Sequence, residues 1–169
     1  LLSLHTGMRM GDIFKLKWGD VDIKQGMITI KDAKTGNRTA FMTGLLKDAF
    51  KEMIKTNNDD FLFLSPLSKA PFKEMPKIFS IIVNEVGLNK DITDSRQKIV
   101  PHSLRHTYAS WLVQDGVDLY TVQKLMGHGS ITMTQRYAHL SPKTLQEAVK
   151  TLEKGIKNSN KFTEISQHK

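Results

Sequence analysis

The stretch HSLRHTYASW, residues 102–111, is typical of a helix that begins directly after a proline, here Pro101. Residues three positions apart share one face of a helix, so His102 and Arg105 are expected to point in the same direction. The first N–H groups of such a helix add a favourable partial charge near an anion. The stretch therefore predicts a helix over 102–115 whose first turns face a phosphate.

The residues that follow this stretch also have helical spacing. The helices predicted here, with the glycines that end the first two, are 102–115 (Gly116), 118–126 (Gly127) and 130–138. Ser141 and Pro142 have the form of an N-cap and a first-turn proline, which predicts one more helix. The polar residues 156–169 are expected to form a flexible tail.

The residues that precede it mix helices with one small sheet. Apolar and polar residues alternate over 26–43 on both sides of TGN, which predicts a β-hairpin with Lys34 near its tip. Helical spacing predicts a short helix in MRMGDIFKLKW, a second from Thr43 to Ile54, and a third over PFKEMPKIFSIIVNEVG, ended by Gly87; FLFLS is interpreted as a short strand. The predicted class is mainly α with a small antiparallel β-sheet.

Composition limits the class of protein. The chain has 169 residues, 39% of them apolar and 25% charged, which is ordinary for one soluble globular domain. Its apolar runs are shorter than the roughly 20 residues of a membrane helix, so we expect a soluble, cytoplasmic protein. It has no cysteine, which excludes disulfides and thiolate metal sites. A formal net charge of +8 favours a polyanionic partner such as DNA.

Five short motifs stand apart from this background. They are TGMR with Arg9, KTGNR with Lys34, HSLRH with His102 and Arg105, LMGHGS with His128, and QRYAHL with Tyr137. Each alone has a structural explanation: a surface arginine, a solubilising hairpin lysine, a helix cap, a turn histidine, and a tyrosine that covers the core. Together they supply the groups needed to break and remake a phosphodiester without a metal or a cofactor.

Each group has a chemical reason to be present. Arg9 and Arg105 offer rigid forks of donors for the non-bridging oxygens of a phosphodiester. The 5′ oxygen of DNA leaves poorly, and Lys34 is the candidate to protonate it. A tyrosyl phosphate would conserve the bond energy for rejoining, and Tyr137 is the candidate nucleophile. His106, Tyr108 and Tyr120 are predicted to lie elsewhere, the first two in packing or support roles.

This set resembles the catalytic domain of the tyrosine recombinases, also called phage or lambda-type integrases. TGMRMGDIFKL resembles the first arginine box of that family, HSLRHTYASWL its His-x-x-Arg box, and LMGHGSITMTQRYAHL its closing stretch. The second histidine precedes the tyrosine by nine residues, as it does in that family. The similarity spans residues 1 to 145 and implies the tyrosine recombinase catalytic-domain fold.

The resemblance implies a role for each residue. Arg9 and Arg105 would bind the scissile phosphate, Lys34 would protonate the leaving oxygen, His102 and His128 would assist proton transfer and phosphate binding, and Tyr137 would attack. The product would be a 3′-phosphotyrosyl link and a free 5′ hydroxyl. Strand exchange would run in a homotetramer on double-stranded DNA, without metal or cofactor, with the segment 142–155 packed on a neighbouring subunit.

The chain departs from the family pattern at two places. Asp12 stands where the family usually has glutamate, and the hairpin continues RTAFMT instead of a Val-Pro-Leu type of ending. We expect Asp12 to support Arg9 from the same helical face. The resemblance also implies a catalytic domain over 1–155, with a DNA-clamping domain and the start of the catalytic domain upstream of this sequence.

Four other functions compete with an integrase of a prophage or other mobile element. The nearest are a host recombinase that resolves chromosomes and a type IB topoisomerase, which uses similar tyrosine chemistry. A DNA-binding relative that no longer cuts would have lost one of the six groups, and none is lost here. A basic helical domain without DNA chemistry would need the whole set to be coincidence. The target sequence of the DNA does not follow from these motifs.

Overall fold

The computed structural model describes residues 1–31, 36–141 and 149–150. Within them the chain forms seven α-helices and one three-stranded sheet, which confirms the predicted class. The helices are α1 Leu2–Thr6, α2 Met10–Phe14, α3 Gly44–Lys51, α4 Ile78–Glu85, α5 Pro101–Gln114, α6 Leu119–Met126 and α7 Thr132–Gln135. The strands are β1 Val21–Asp22, β2 Met27–Ile30 and β3 Arg38–Phe41. No helix in the described part is long and apolar enough to cross a membrane.

The sheet is antiparallel in the order β1-β2-β3. Ile28 pairs with Val21 on one side and with Ala40 on the other, and Ile30 pairs with Arg38. Because side chains alternate along a strand, Ile28, Ile30 and Ala40 all enter the core. The predicted hairpin is therefore confirmed in β2 and β3, with β1 as an additional strand. Lys34 lies outside the described residues.

The helix predicted from Thr43 begins as expected. The Thr43 hydroxyl accepts a hydrogen bond from the Leu46 N–H at 3.4 Å, and Leu46 and Phe50 are buried. The helix ends at Lys51, three residues earlier than predicted, and Ile54 is 89% exposed. Apolar spacing alone therefore overestimated its length.

The segment between α3 and α5 is less regular than predicted. The helix expected over 71–87 is confined to α4. Pro76 lies inside the predicted range, and the residue before a proline rarely adopts the helical conformation. FLFLS forms no strand: Phe61 and Leu64 each make one isolated bridge, to Lys17 and Pro71.

The last described helices follow the predicted order with one difference. α5 starts at Pro101, and α6 starts at Leu119 after the N-cap Asp118, whose carboxylate accepts from the Thr121 N–H at 2.9 Å. The helix predicted over 130–138 is split into α7 and a 3₁₀ turn, Ala138–Leu140. Tyr137 lies between the two pieces. The last predicted helix and the segments 142–155 and 156–169 lie mainly outside the described residues.

Two hydrophobic clusters make up the described core. One joins α1, α2 and α3 to the sheet, and the other joins α5, α6 and Tyr137. Helix α1 packs directly on α5, so the two clusters meet there.

Gly7 lies at the junction of the two clusters and ends α1. Its φ of 65° is left-handed, and a Cβ atom there would lie 2.6 Å from Cδ1 of Tyr108 and 2.9 Å from Sδ of Met126. Glycine is therefore required at this position for two reasons, its backbone conformation and its lack of a side chain.

Replacement of Gly7 by alanine is expected to lower the free energy of unfolding by about 2–4 kcal/mol, since a strained φ adds to overpacking. Urea denaturation at 25 °C measures this loss. Gly11→Ala is the control, because Gly11 lies exposed in α2 and a Cβ there meets nothing within 4 Å. Equal stability of the two variants would contradict the prediction.

Candidate active site

An open cavity of about 430 Å³ lies where the two clusters meet. The residues that line it are Arg9, His102, Arg105, His106, Met126, His128, Thr132, Met133, Arg136 and Tyr137. Five of the six predicted groups are therefore brought together from four separate stretches of chain. The sixth, Lys34, lies outside the described residues.

Arg105 forms the floor of this cavity and is 2% exposed. Its guanidinium donates to the carbonyl of Gly7, at the end of α1, and to the carbonyl of Met126, at the end of α6, the latter at 2.6 Å. Carbonyls at helix C-termini carry partial negative charge, which favours a cation. Burial, together with the nearby charges of Arg9 and Arg38, lowers the pKa of Arg105 to about 10, so it is charged at pH 7.

Arg9 lines the same cavity, but unlike Arg105 it does not belong to a helix. It is the N-cap of α2, with φ −70° and ψ 148°, and is therefore extended rather than helical. The left-handed turn at Gly7 directs the chain from α1 toward this position. The two arginines thus approach the cavity from unrelated elements.

The sequence predicts that Asp12 supports Arg9, but the structure shows a different partner for Asp12. Among the described residues, the ion pair of Asp12 is with Arg38 of β3, at 3.3 Å between Nη2 and Oδ2. The prediction assumed that Arg9 and Asp12 share a helical face, whereas Arg9 is outside the helix. Arg38 also donates to the carbonyl of Leu125 at 3.4 Å, so it joins the hairpin to the end of α6.

His102 and His106 lie side by side on α5. Their ring centroids are 4.6 Å apart and the rings are nearly perpendicular, at 88°. Burial, followed by the nearby positive charge of Arg105, lowers the pKa of His102, and burial followed by His102 lowers the pKa of His106. The prediction that His106 lies elsewhere is wrong, because residues four apart on a helix share a face and His106 lines the cavity with His102.

His128 is held through its backbone and through one nitrogen of its ring. Its backbone N–H donates to the Gln123 carbonyl at 3.1 Å, and the Gln123 side chain donates to the His128 carbonyl at 3.1 Å. Its Nδ1 lies 2.9 Å from the hydroxyl of buried Thr134, which leaves Nε2 as the other ring nitrogen. Burial and the adjacent charges of Arg105 and Arg9 lower the pKa of His128 to about 4.

Tyr137 is 5% exposed, yet it is among the residues that line the cavity. The phenol oxygen lies 2.5 Å from Nδ1 of His106. Burial raises the pKa of Tyr137, while the charges of Arg136 and Arg105 act in the opposite direction. Arg136 lies over the phenol ring, 5.9 Å from its centroid.

The two other tyrosines are placed differently. Tyr108 packs against Gly7, and burial raises its pKa. Tyr120 is 61% exposed on α6, under the side chain of Lys124. Neither residue lines the cavity.

The charges around the cavity are of one sign. Arg9, Arg105 and Arg136 line it, and none of its described lining residues is acidic. Three arginines and three histidines around one opening form a site for an anion with several oxygen atoms.

Three residues at or beside the cavity were missed as site residues by sequence reasoning. Arg38 could not be assigned from spacing, because its partners Asp12 and Leu125 lie far away in the sequence. Arg136 could not be assigned either, because its position over the Tyr137 ring depends on how α7 ends. His106 had a signal, because it lies four residues after His102 on a predicted helix.

The chain resembles known proteins over most of its length. The model of the phage integrase family matches residues 1–144. Tyrosine recombinase XerA of Pyrococcus furiosus is 33% identical over 152 residues, which are 88% of this chain and 51% of that protein. Tyrosine recombinase XerD of Neisseria meningitidis is 32% identical over 157 residues, 88% of this chain and 52% of that protein. The chain thus spans about half the length of these curated relatives.

Solved structures show the same fold. The crystal structure of XerA recombinase is 27% identical, with a TM-score of 0.61 over 89% of this chain and 55% of that chain. The catalytic domain of bacteriophage HP1 integrase is 27% identical, with a TM-score of 0.64 over 88% of this chain and 77% of that chain. The Tn1549 transposon integrase in complex with circular intermediate DNA is 22% identical, with a TM-score of 0.66 over 90% of this chain and 57% of that chain.

The lowered pKa of His128 predicts that stability falls in acid. Between pH 6.5, the usual pKa of histidine, and pH 4 the unfolded chain binds a proton that folded His128 does not. The contribution of neutral His128 to the free energy of unfolding is therefore complete above pH 6.5, and it is lost as the pH falls toward 4. Urea denaturation from pH 7.5 to pH 5 should show a smaller decline for His128→Asn than for wild type. His139→Asn, at an exposed histidine, is the control.

Proposed function

Because this chain belongs to the phage integrase family of tyrosine recombinases, we propose that it acts as the catalytic domain of a site-specific DNA recombinase. The proposed reaction cleaves one DNA strand through a 3′-phosphotyrosyl intermediate and then rejoins it. The single observation that carries the proposal is the cavity, where Arg9, His102, Arg105, His128 and Tyr137 meet without an acidic residue among the described lining.

We propose that the cavity binds the scissile phosphate. Arg9 and Arg105 offer paired donors for the non-bridging oxygens, whose charge increases as a fifth oxygen attacks. His128 would add a donor through Nε2, because its Nδ1 is occupied by Thr134. A bound dianionic transition state would raise the pKa of each neighbouring histidine and so favour the donating form. These residues supply the charge that a metal ion supplies elsewhere, so the proposed reaction uses none.

Tyr137 is the proposed nucleophile and Lys34 the proposed acid. Attack by the phenol oxygen would leave the strand attached to the protein, which conserves the bond energy for rejoining. Support for Lys34 comes from the base of its hairpin, because Arg38 joins β3 to Asp12 and to the carbonyl of Leu125 beside the cavity. Lys34 is four residues from Arg38 along the chain.

The biological role that we propose is integration or excision of a prophage or another mobile element. The similarity to the HP1 integrase catalytic domain supports this role. The curated relatives named XerA and XerD support the alternative, a host recombinase that resolves chromosomes. Mapping the preferred DNA sites in the genome separates the two: sites at the ends of an element favour the first, and a single chromosomal locus favours the second.

Double-stranded DNA is the proposed partner, with a homotetramer as the active assembly and the cytoplasm as its location. We further propose that residues 1–155 form the catalytic domain, that 142–155 pack on a neighbouring subunit, and that 156–169 form a polar tail. The net charge of +8 and the positive cavity support the DNA partner.

Tyr137→Phe is expected to abolish covalent attachment and to leave DNA binding nearly unchanged, because only the hydroxyl is lost. Duplexes are first selected from a random pool by repeated binding to the protein, and a nick is then placed in each so that the released fragment diffuses away. A denaturing gel detects the protein–DNA adduct. An adduct with wild type alone supports the proposal.

Two results would contradict the proposed function. One is tight and selective binding of these duplexes with no adduct from wild type, which indicates a DNA-binding relative that does not cut. The other is an adduct of equal yield from Tyr137→Phe, which indicates a different nucleophile.

Arg9→Ala is expected to slow adduct formation by about 10²–10³-fold, since one donor to the transition state is removed. Arg9 is a better probe than Arg105, whose loss would leave two buried carbonyls without their donor. Single-turnover rates on the nicked duplexes measure the effect. Arg96→Ala is the control, at an arginine that is 87% exposed and paired with Asp94. Equal rates for both variants would contradict the role of Arg9.

A further inference from the structure

The proposed reaction requires a group that takes the proton of the nucleophile. A phenol attacks phosphorus well only if its proton leaves as the new bond forms. The roles proposed for Lys34, Arg9 and Arg105 concern the leaving oxygen and the phosphate. None of them removes the proton from Tyr137, which leaves His102, His106 and His128 of the cavity lining as the candidates.

His106 is in contact with the phenol oxygen of Tyr137. Its Nδ1 lies 2.5 Å from the phenol oxygen of Tyr137, with the ring centroids 5.9 Å apart. It also lies on α5, a helix of 14 residues, directly after Arg105, which is fixed by its bonds to two carbonyls. The position of His106 is thus set by a helix that is anchored at the adjacent residue.

The other groups around the cavity are less suited to this role. The ring of His102 contacts the ring of His106, and no bond joins it to the phenol in the described structure. The Nδ1 of His128 is engaged by Thr134. Arginines do not accept protons, and the described lining of the cavity contains no carboxylate.

We infer that His106 is a further catalytic residue, whose Nδ1 accepts the phenolic proton as the Tyr137 oxygen attacks phosphorus; this rests on the proposed function. The bond from the phenol oxygen to phosphorus forms, the bond from phosphorus to the 5′ oxygen breaks, and the proton moves from Tyr137 to His106. The leaving oxygen takes a separate proton from the acid. In the rejoining step His106 returns its proton to the tyrosine.

The surroundings keep His106 ready to accept a proton. Burial and the neighbouring charges lower its pKa, so the ring is neutral at pH 7. The titratable and charged groups that face it are His102 and Arg105 from α5, Arg136 and Tyr137 from the end of α7, His128 from the loop after α6, and Arg9 from the start of α2. A bound phosphate would offset the positive charges among them.

The test compares wild type with His106→Asn in the intact protein, on the nicked duplexes selected by binding. Asparagine places a polar atom near the position of Nδ1 but does not take a proton at neutral pH. His5→Asn is the matched control, at a histidine that contacts Thr43 and does not line the cavity. Circular dichroism and DNA affinity verify that each variant is folded.

Two duplexes with different leaving groups distinguish a residue that removes a proton from a residue that donates one. The first duplex has the ordinary 5′ oxygen and the second has a bridging 5′ sulfur, which leaves without protonation. We expect His106→Asn to lower the rate of adduct formation by about 10²–10³-fold with both duplexes. We expect the defect of Lys34→Ala largely to disappear with sulfur. Between pH 7 and 9 the wild-type rate should be nearly constant, whereas the rate of His106→Asn should rise about tenfold per pH unit as hydroxide replaces the base.

Each other outcome is decisive. A wild-type rate for His106→Asn, or a defect that sulfur removes, overturns the inference while the adduct itself upholds the proposed function. No adduct from wild type overturns the proposed function and the inference with it.

A measurement on wild type alone covers the case in which His106→Asn does not fold. Nitrogen-15 NMR identifies which ring nitrogen of His106 carries the proton. We expect the proton on Nε2 and an unprotonated Nδ1 that accepts from Tyr137. A neutral ring with its proton on Nδ1, donating to the phenol oxygen, would overturn the inference.

Discussion

The buried guanidinium of Arg105 is the interaction on which the rest of the described structure depends. It lies between the carbonyls that end α1 and α6, and it belongs to α5, so it joins three helices at one point. A buried cation is unfavourable unless it is compensated, and here the partners are neutral carbonyls rather than a carboxylate. Its positive charge is therefore not neutralised and is available to an anion in the cavity above it. One side chain thus contributes both to stability and to binding.

The cavity takes its shape from the elements held around that point. Gly7 permits the close approach of Tyr108 and Met126, and it directs the chain to Arg9. Arg38 joins the hairpin to Asp12 and to the end of α6, and its side chain fills the space beside Gly127, where a Cβ atom would lie 2.5 Å from it. The candidate site is thus built into the junction of the two clusters.

Local features of the fold could be predicted from the sequence, and long-range contacts could not. Alternation identified β2 and β3, and an N-cap residue identified the start of α3, because these signals depend on neighbouring residues. Five of the cavity residues were found because together they suit phosphodiester chemistry and because their order resembles that of a known family. The pairs Asp12–Arg38 and His106–Tyr137 are 26 and 31 residues apart, and no local spacing encodes them. The break at Tyr137 was missed because apolar spacing does not distinguish an α-helix from two short turns.

The anchoring of Arg105 by backbone oxygens has a consequence for how the gene can change. Every amino acid carries a carbonyl, so no substitution at position 7 or 126 deletes the acceptor itself. A carboxylate partner, in contrast, would be lost with one codon change. Mutation at these two positions therefore cannot remove the acceptor, and selection acts there on the shape of the backbone, which at position 7 requires glycine.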